Sequence, residues 1–290
     1  AVGFPTTVNP IFQNELVPVF VDSQIGTYNP TADMIIDAYT DNTRGIFLAH
    51  TLGNPFEVTK LRDFADDKNI WLLEDNCDAF GSTYDNKKTG TIGHVSTLSF
   101  YPAHHITTGE GGAVMTNSNS LKLSIDSFRD WGRDCWCQSG HDNTCNKRYD
   151  WQLGDLPYGY DHKFTYSNIG YNLKATDLQA SIGYVQMDKL EDFINSRKQN
   201  WKTIDKFIRK HGDLFIPHKA TTNSEPSWFG YAITVKENNL FDRNELVQFL
   251  NEKRIATRLM FGGNLVKQPA YKDRNFKIHG NLINADIVMN

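Results

Sequence analysis

Four cysteines and two adjacent histidines are the residues of this chain best suited to chemistry. Cys77, Cys135, Cys137 and Cys145 are the only cysteines among 290 residues, spaced C-x57-C-x-C-x7-C. The last three fall within eleven residues, in Trp131-Gly-Arg-Asp-Cys-Trp-Cys-Gln-Ser-Gly-His-Asp-Asn-Thr-Cys145. Four thiolates suit a 2Fe–2S cluster or an all-cysteine zinc site. The spacing matches no common zinc finger and no plant-type ferredoxin, and four unrelated buried thiols are the plain alternative. Disulfides fit less well: Cys135 and Cys137 stand too close to bridge each other, and nothing in the sequence indicates secretion.

Cys77 lies two residues past Asp75, in Glu74-Asp-Asn-Cys-Asp-Ala-Phe-Gly81. Asp75 closes an apolar strand, and open α/β sheets bind ligands at the carboxyl ends of their strands. A carboxylate there can keep a pyridinium nitrogen protonated, which lets a pyridoxal-type ring act as an electron sink. A helix cap or a loop acid is the bland reading of the same residue. In Ser99-Phe-Tyr-Pro-Ala-His104-His105-Ile-Thr-Thr-Gly-Glu-Gly-Gly112 a strand ends in a hydroxyl, two histidines follow, and a glycine turn exposes backbone. Ser99 can donate to a phosphate, and the His104 imidazole has the chemistry of a general base. A satisfied structural histidine is the alternative for each ring.

The elements that must position these residues alternate. Val17–Asp22, Gly45–His50 and Ile70–Asp75 read as short apolar strands. Between them come a helix from Ala32 to Tyr39 capped by Thr31, and one opened by Asn54-Pro55 and running to Asp67. Strand–helix–strand alternation with continuous apolar strands indicates parallel βαβ units covered on both faces. Val95–Phe100 and Gly112–Thr116 are shorter strands around the glycine turn, and a helix from about Ser118 to Trp131 follows. Residues 132–170 form a long irregular insertion whose aromatic content argues for order. A helix or helix pair spans Thr176 to Lys210, and a strand at Tyr231–Lys236, a helix at Arg243–Arg254 and a strand at Thr257–Met260 begin a second α+β unit.

Composition limits the classes. The chain is 39% hydrophobic and 22% charged, enough apolar content to bury a core and to exclude disorder. Thirty basic against thirty-four acidic residues give a net charge of −4, which points to neither nucleic acid nor anionic lipid. No apolar run approaches a membrane helix. The chain opens at Ala1 and stops at Asn290 inside an element, so it reads as a piece cut at both ends, with the cytoplasm as its expected compartment.

The block Glu74–Gly81 with Ser99–Gly112 after it strongly resembles the DegT/DnrJ/StrS family of sugar aminotransferases, which act on nucleotide-linked 4-keto sugars. The resemblance runs from Phe4 to Gly262-Gly-Asn-Leu-Val-Lys-Gln-Pro269. It implies a type I aminotransferase-like α/β fold: a mostly parallel sheet with helices on both faces, plus part of a smaller α+β C-terminal domain. Residues 1–205 would form the large cofactor-binding domain and 206–290 the small one. It also implies bound pyridoxal phosphate. On the matching positions, Asp75 pairs with the pyridine nitrogen, Ser99 binds the phosphate and Phe4 lies against the ring. Asn172 reaches the phosphate of the neighbouring subunit, which implies a homodimer.

One departure changes the implied reaction. Where the family has its Schiff-base lysine, this chain has His104, and imidazole cannot form that covalent linkage. The family includes dehydrases with this histidine, which hold the cofactor non-covalently as pyridoxamine 5′-phosphate. The implied activity is dehydration at carbon 3 of a nucleotide-linked 4-keto-6-deoxyhexose, CDP favoured, in 3,6-dideoxysugar synthesis for lipopolysaccharide. The cysteine pattern, with Lys147–Gly154 and Tyr160–Tyr166, resembles the cluster-bearing branch. That implies Cys77, Cys135, Cys137 and Cys145 as ligands of a 2Fe–2S cluster fed by a flavin/iron–sulfur reductase. A pyridoxal-phosphate-dependent sugar aminotransferase and a non-catalytic zinc-binding homologue are the rivals. Asp78, where the family often has Gln or His, and His105 are left without roles.

Overall fold

The computed structural model describes residues 1–137 and 140–290; Gln138 and Ser139 of the irregular insertion lie outside the described residues. The chain opens with helix α1 (Pro5–Gln13), which starts on a proline whose missing N–H costs nothing at a helix start. Strand β1 (Val19–Phe20) precedes α2 (Ala32–Asp37), where the Thr31 hydroxyl accepts the Met34 amide as a cap. Then come β2 (Gly45–Ala49), α3 (Val58–Asp67), β3 (Trp71–Asp75), the small hairpin β4 (Thr83–Tyr84) and β5 (Lys87–Lys88), β6 (Val95–Ser99) and β7 (Gly112–Met115).

Strands β2, β3, β6 and β7 form the central sheet in that order, the first three parallel and β7 antiparallel. Gly112 follows from the tight closure of β6 on β7: a Cβ there would sit 2.6 Å from the Leu98 carbonyl. Val58, Leu61 and Ala65 on one face of α3 pack with Ile46, Ile70 and Leu72 of the sheet region in the main core. This is the mostly parallel, helix-covered sheet expected.

The rest follows as α4 (Asn119–Arg129), α5 (Asp177–Met187), α6 (Leu190–Lys210), β8 (Phe215–Pro217), β9 (Ser224–Glu225), β10 (Ile233–Val235), α7 (Arg243–Glu252), β11 (Lys277–Ile278) and α8 (Ile283–Met289). β8 and β10 pair antiparallel, and β9 joins the β4–β5 hairpin. A second core joins the chain's two ends: Phe20 packs with Leu265, Tyr271, Leu282 and Ala285, and Phe12 stacks on Tyr271. Among the described residues no helix is long and apolar enough to cross a membrane.

Three local expectations are corrected. The strand expected over Val17–Asp22 is only Val19–Phe20 and leaves the central sheet to pair in parallel with β11. Its end is turned to capping, since the Asp22 carboxylate accepts the amides of Asn284 and Ala285 at the start of α8. The helix expected from Asn54 begins at Val58, because the Asn54 side chain is committed to Thr27, Lys219 and Thr221. Thr257–Met260 is not a strand; it lies between Arg254 and Phe261, both in the left-handed region, which breaks extended pairing.

Candidate active site

The site is built where β3 and β6 end. In β3 the side chains alternate, so Leu72 and Glu74 are buried on one face while Asp75 faces the other way. Glu74 anchors this strand end. Its Oε2 accepts from His50 Nε2 (2.9 Å) and the Gly90 amide (2.7 Å), and its Oε1 from the amides of Ile92 and Gly93. His50 Nδ1 accepts the Phe56 amide, so the ring proton sits on Nε2, and Phe56 stacks on the ring at 4.4 Å. Burial would raise the Glu74 carboxyl, but the hydrogen bonds from His50 and the two glycine amides outweigh it and hold the group below its ordinary value.

Asp75, the next residue, is held at both oxygens. The Thr7 hydroxyl donates to Oδ2 at 2.6 Å and the Cys77 amide to Oδ1 at 3.2 Å. Thr7 belongs to the first turn of α1, so that helix start is drawn onto the strand end. Phe4, just before α1, is exposed and touches Phe261 edge-on. On the neighbouring strand Thr97 is in register with Asp75, two residues before Ser99. The Ser99 Oγ accepts the Tyr101 amide at 3.2 Å, which leaves its own proton free to donate.

His104 sits beside this edge with Nε2 3.3 Å from Asp78 Oδ1, and both side chains are largely buried. An ionised Asp78 accepts the Nε2 proton and leaves the lone pair on Nδ1. That Nδ1 is buried and has no hydrogen-bond partner among the described residues. Tyr101 and Phe229 meet the ring edge-on, with centroids at 5.6 and 5.2 Å. Burial pushes the Asp78 carboxyl up, against the lowering pull of His104. The arrangement is an oriented imidazole with one nitrogen tied to a carboxylate and the other buried and unpartnered. His105 turns away: it is buried, with Nε2 2.6 Å from the Ser227 carbonyl.

The cysteines divide. Cys135, Cys137 and Cys145 line one cavity of about 220 Å³ in the insertion, together with Arg148, His162 and Lys174. Hydrogen bonds from the Thr144 hydroxyl, the Cys145 amide and the neighbouring thiols draw Cys137 down to about 6. Behind them His162 donates to Asp134 and packs between Trp136 and Trp151. Cys77 does not line that cavity; its sulfur lies 3.8 Å from the Thr97 hydroxyl, and burial together with Asp75 pushes its thiol up. Among the described residues no three His, Cys, Asp or Glu side chains stand in a metal-binding arrangement. Asn172 is exposed, bridges to Asp130, and accepts from Lys174 Nζ at 2.8 Å.

The structure thus gathers Asp75, Ser99 and His104 at one sheet edge, gathers three of the four cysteines elsewhere, and leaves Phe4 and Asn172 exposed. Sequence reasoning missed Thr7, Tyr101 and Phe229, and left Asp78 open. Only Asp78 carried a signal, an acid three residues past Asp75 in the same loop.

A mostly parallel, helix-covered sheet with its site at the strand ends defines an α/β protein of the ligand-binding type. More narrowly, the chain belongs to the DegT/DnrJ/EryC1/StrS aminotransferase family, whose model matches residues 1–290. It is 52% identical over 290 residues to the lipopolysaccharide biosynthesis protein RfbH of Salmonella typhimurium, covering all of this chain and 66% of that protein. It is 54% identical over 288 residues to the dTDP-4-dehydro-2,6-dideoxy-D-glucose 3-dehydratase of Saccharopolyspora spinosa, covering 99% of this chain and 62% of the relative. The chain therefore spans somewhat under two thirds of the length of these relatives. Among solved structures, it superposes with a TM-score of 0.87 and 29% identity on the E. coli GDP-4-keto-6-deoxy-D-mannose-3-dehydratase with bound hydrated pyridoxal phosphate, covering 100% of this chain and 72% of that one.

Proposed function

We propose that this chain belongs to a pyridoxamine-phosphate-dependent dehydratase acting at carbon 3 of a nucleotide-linked 4-keto-6-deoxyhexose. The observation that carries the reading is His104, at the position where the family keeps its lysine, with Nε2 on Asp78 and a buried, unpartnered Nδ1. The names of the relatives as sugar 3-dehydratases support it. The residues present fit the cofactor. Asp75 has a carboxylate for the pyridinium nitrogen, Ser99 a free hydroxyl proton for a phosphate oxygen, and Phe4 an exposed ring beside the α1 start.

When bound, pyridoxamine phosphate supplies a primary amine for the sugar ketone and a ring that takes up electron density. The chain's own residues do the rest. Asp75 would hold and polarise the ring nitrogen. His104 would take the proton at the cofactor's 4′ carbon and return one to the departing 3-hydroxyl. Asp78 holds the imidazole in the tautomer that allows this. Without a lysine amine at this place, nothing from position 104 competes with the sugar for covalent attachment. Under this reading residues 1–205 carry the cofactor and 206–290 form the smaller unit, which brings Phe229 to His104.

The finer assignments belong to the same proposal. CDP is the favoured nucleotide, a flavin/iron–sulfur reductase the electron donor, and lipopolysaccharide dideoxysugar synthesis the setting. A 2Fe–2S cluster rests on the resemblance carried by the cysteine pattern; three of the thiols share one cavity, but among the described residues no three stand in a metal-binding arrangement. A four-cysteine site would also require Cys77, which does not line that cavity, so no step is derived through a cluster. A homodimer is supported by α5, which buries no residue of its own and exposes Leu178 (80%) and Tyr184 (78%).

The test is washout of tritium from the 4′ position of pyridoxamine phosphate in the presence of CDP-4-keto-6-deoxyglucose. His104→Asn should keep cofactor binding and lose the washout, while His104→Lys should gain the absorbance of covalently held pyridoxal phosphate. Washout at the wild-type rate in His104→Asn would overturn the role of His104. For the cluster, protein purified without oxygen should hold about two iron and two sulfide per chain; stoichiometric zinc without sulfide would refute it.

A further inference from the structure

Two loops meet at the His104 ring, and one side chain spans both. The Arg197 guanidinium, on α6, donates through Nη1 to the carbonyls of Phe229 (3.2 Å) and Trp228 (3.4 Å). Through Nη2 it donates to those of His104 (3.3 Å) and Ala103 (3.5 Å). The buried His105 ring adds a further tie. A carbonyl only accepts, so the His105 Nε2 that lies 2.6 Å from Ser227 O carries a proton and donates it. Burial and the charge of Arg197 bring His105 down to about 4, so it is a neutral donor at physiological pH. The second loop is held from behind as well: the Ser227 amide donates to Ser82 Oγ and the Phe229 amide to the Leu52 carbonyl.

The four arginine contacts are long, so none is strong alone. Their value is geometric. A planar fork engages each loop with its own nitrogen at a fixed spacing, which a point-like ammonium does not. The fork fixes the backbone of Phe229 against the backbone of His104, and Phe229 is one of the two rings that meet the imidazole edge-on. That packing sets the plane in which Nε2 reaches Asp78 and Nδ1 stays free.

We propose that Arg197 is a positioning residue: it clips loop 227–229 to loop 103–105 and so holds the His104 imidazole in one orientation and one tautomer. The functional consequence rests on the reading of His104 as the base; the geometric claim does not. The experiment uses the full-length protein loaded with pyridoxamine phosphate. ¹⁵N-histidine spectra, with His104 assigned through His104→Gln, report its tautomer without substrate. Tritium washout with CDP-4-keto-6-deoxyglucose reports proton transfer. Wild type should show one tautomer protonated at Nε2. Arg197→Ala should show tautomer averaging, with washout at saturating sugar slowed about 10- to 100-fold, as for a misplaced catalytic group, and KM little changed. Millimolar guanidinium ion should restore part of both signals, and Arg197→Lys should fall between.

Unchanged His104 signals in a folded Arg197→Ala protein would overturn the clip. So would a loss confined to KM or to cofactor affinity. If Arg197→Ala does not fold, Arg197→Lys decides, and wild-type behaviour in both measurements refutes the proposal. Tautomer averaging in Arg197→Ala alongside a wild type that shows no washout would support the clip and refute the proposed function instead.

Discussion

Replacing Glu74 by Gln tests whether the strand end that carries Asp75 is held as described. Both Glu74 and His50 have side chains with 0% exposure, so water cannot substitute for a lost partner. The carboxylate takes four donors, two on each oxygen: His50 Nε2 and the Gly90 amide on Oε2, the Ile92 and Gly93 amides on Oε1. A glutamine offers one oxygen and one NH2 group. Whichever way the amide turns, two donors lose their acceptor and face N–H. Each buried unsatisfied donor costs about 1–3 kcal/mol, and breaking a buried charged arrangement costs about 3–5 kcal/mol. A loss near 4 kcal/mol is expected, or roughly 8–16 °C in Tm at the ~2–4 °C per kcal/mol of a large domain. The pH dependence has a fixed sign. Glu74 is held below its ordinary value of 4.5, so its contribution is complete above that value and fades as pH falls through the lowered one. Calorimetry at pH 7 and at progressively lower pH should therefore show the wild-type advantage shrinking on acidification. A Glu74→Gln protein within about 1 kcal/mol of wild type at pH 7, or a gap that widens in acid, would refute this account.

Asp78→Asn keeps an oxygen near His104 but removes the charge. A hydrogen bond to a charged group is worth about 1.5–3 kcal/mol, so 4′ washout should slow about 10- to 100-fold with cofactor affinity preserved; a change under about threefold counts against the pair. Mixing Asn172→Ala and His104→Asn proteins should recover activity in hybrid dimers with one intact site, and verified hybrids without activity would exclude a shared site. Metal-free protein treated with iodoacetamide at pH 7 should lose Cys137 first, since its thiol sits at about 6 whereas Cys77 is pushed upward. Mass spectrometry finding Cys77 modified first would show that the two environments are misassigned.

The central sheet was legible because its strands are continuous apolar runs set among amphipathic helices, a pattern that local residues determine. Thr31 caps α2 where the sequence leads one to expect, and the helix expected from about Ser118 begins at Asn119 with Ser118 as its cap. The pieces that misled are those whose shape comes from distant partners. Val17–Asp22 looks like a sheet strand by its residues, yet β11 and the start of α8, more than 250 residues away, take its backbone and its carboxylate. Asn54-Pro55 looks like a helix start, yet Asn54 is spent on carbonyls and an amide from two other segments. Helix α1 has no capping side chain at Phe4 and a proline in its interior at Pro10, so local signals did not announce it.

The candidate site divides along the same line. Asp75, Ser99 and His104 could be read because a strand end is a local feature and the chemistry of a carboxylate, a hydroxyl and an imidazole is carried by the residue itself. What orients them could not, since Thr7, Arg197 and Phe229 approach from other elements and are ordinary residues in their own segments. Adjacent histidines show the difference most plainly. Residue type alone does not separate His104 from His105, the resemblance picks out His104, and the fold gives one a carboxylate partner with an unpartnered buried nitrogen and the other a carbonyl that fixes it as a neutral donor. The cysteines make the converse point. Their spacing treats the four as one set, but the fold puts a carboxylate beside Cys77 and hydrogen-bond donors around Cys137, environments that drive the two thiols in opposite directions. A ligand must be a thiolate to bind iron, so if Cys77 joins the other three, the energy of metal binding must overcome both its burial beside Asp75 and its distance from their cavity. Loading the metal would then be coupled to the Asp75 edge, and so to the ring nitrogen that Asp75 is proposed to hold.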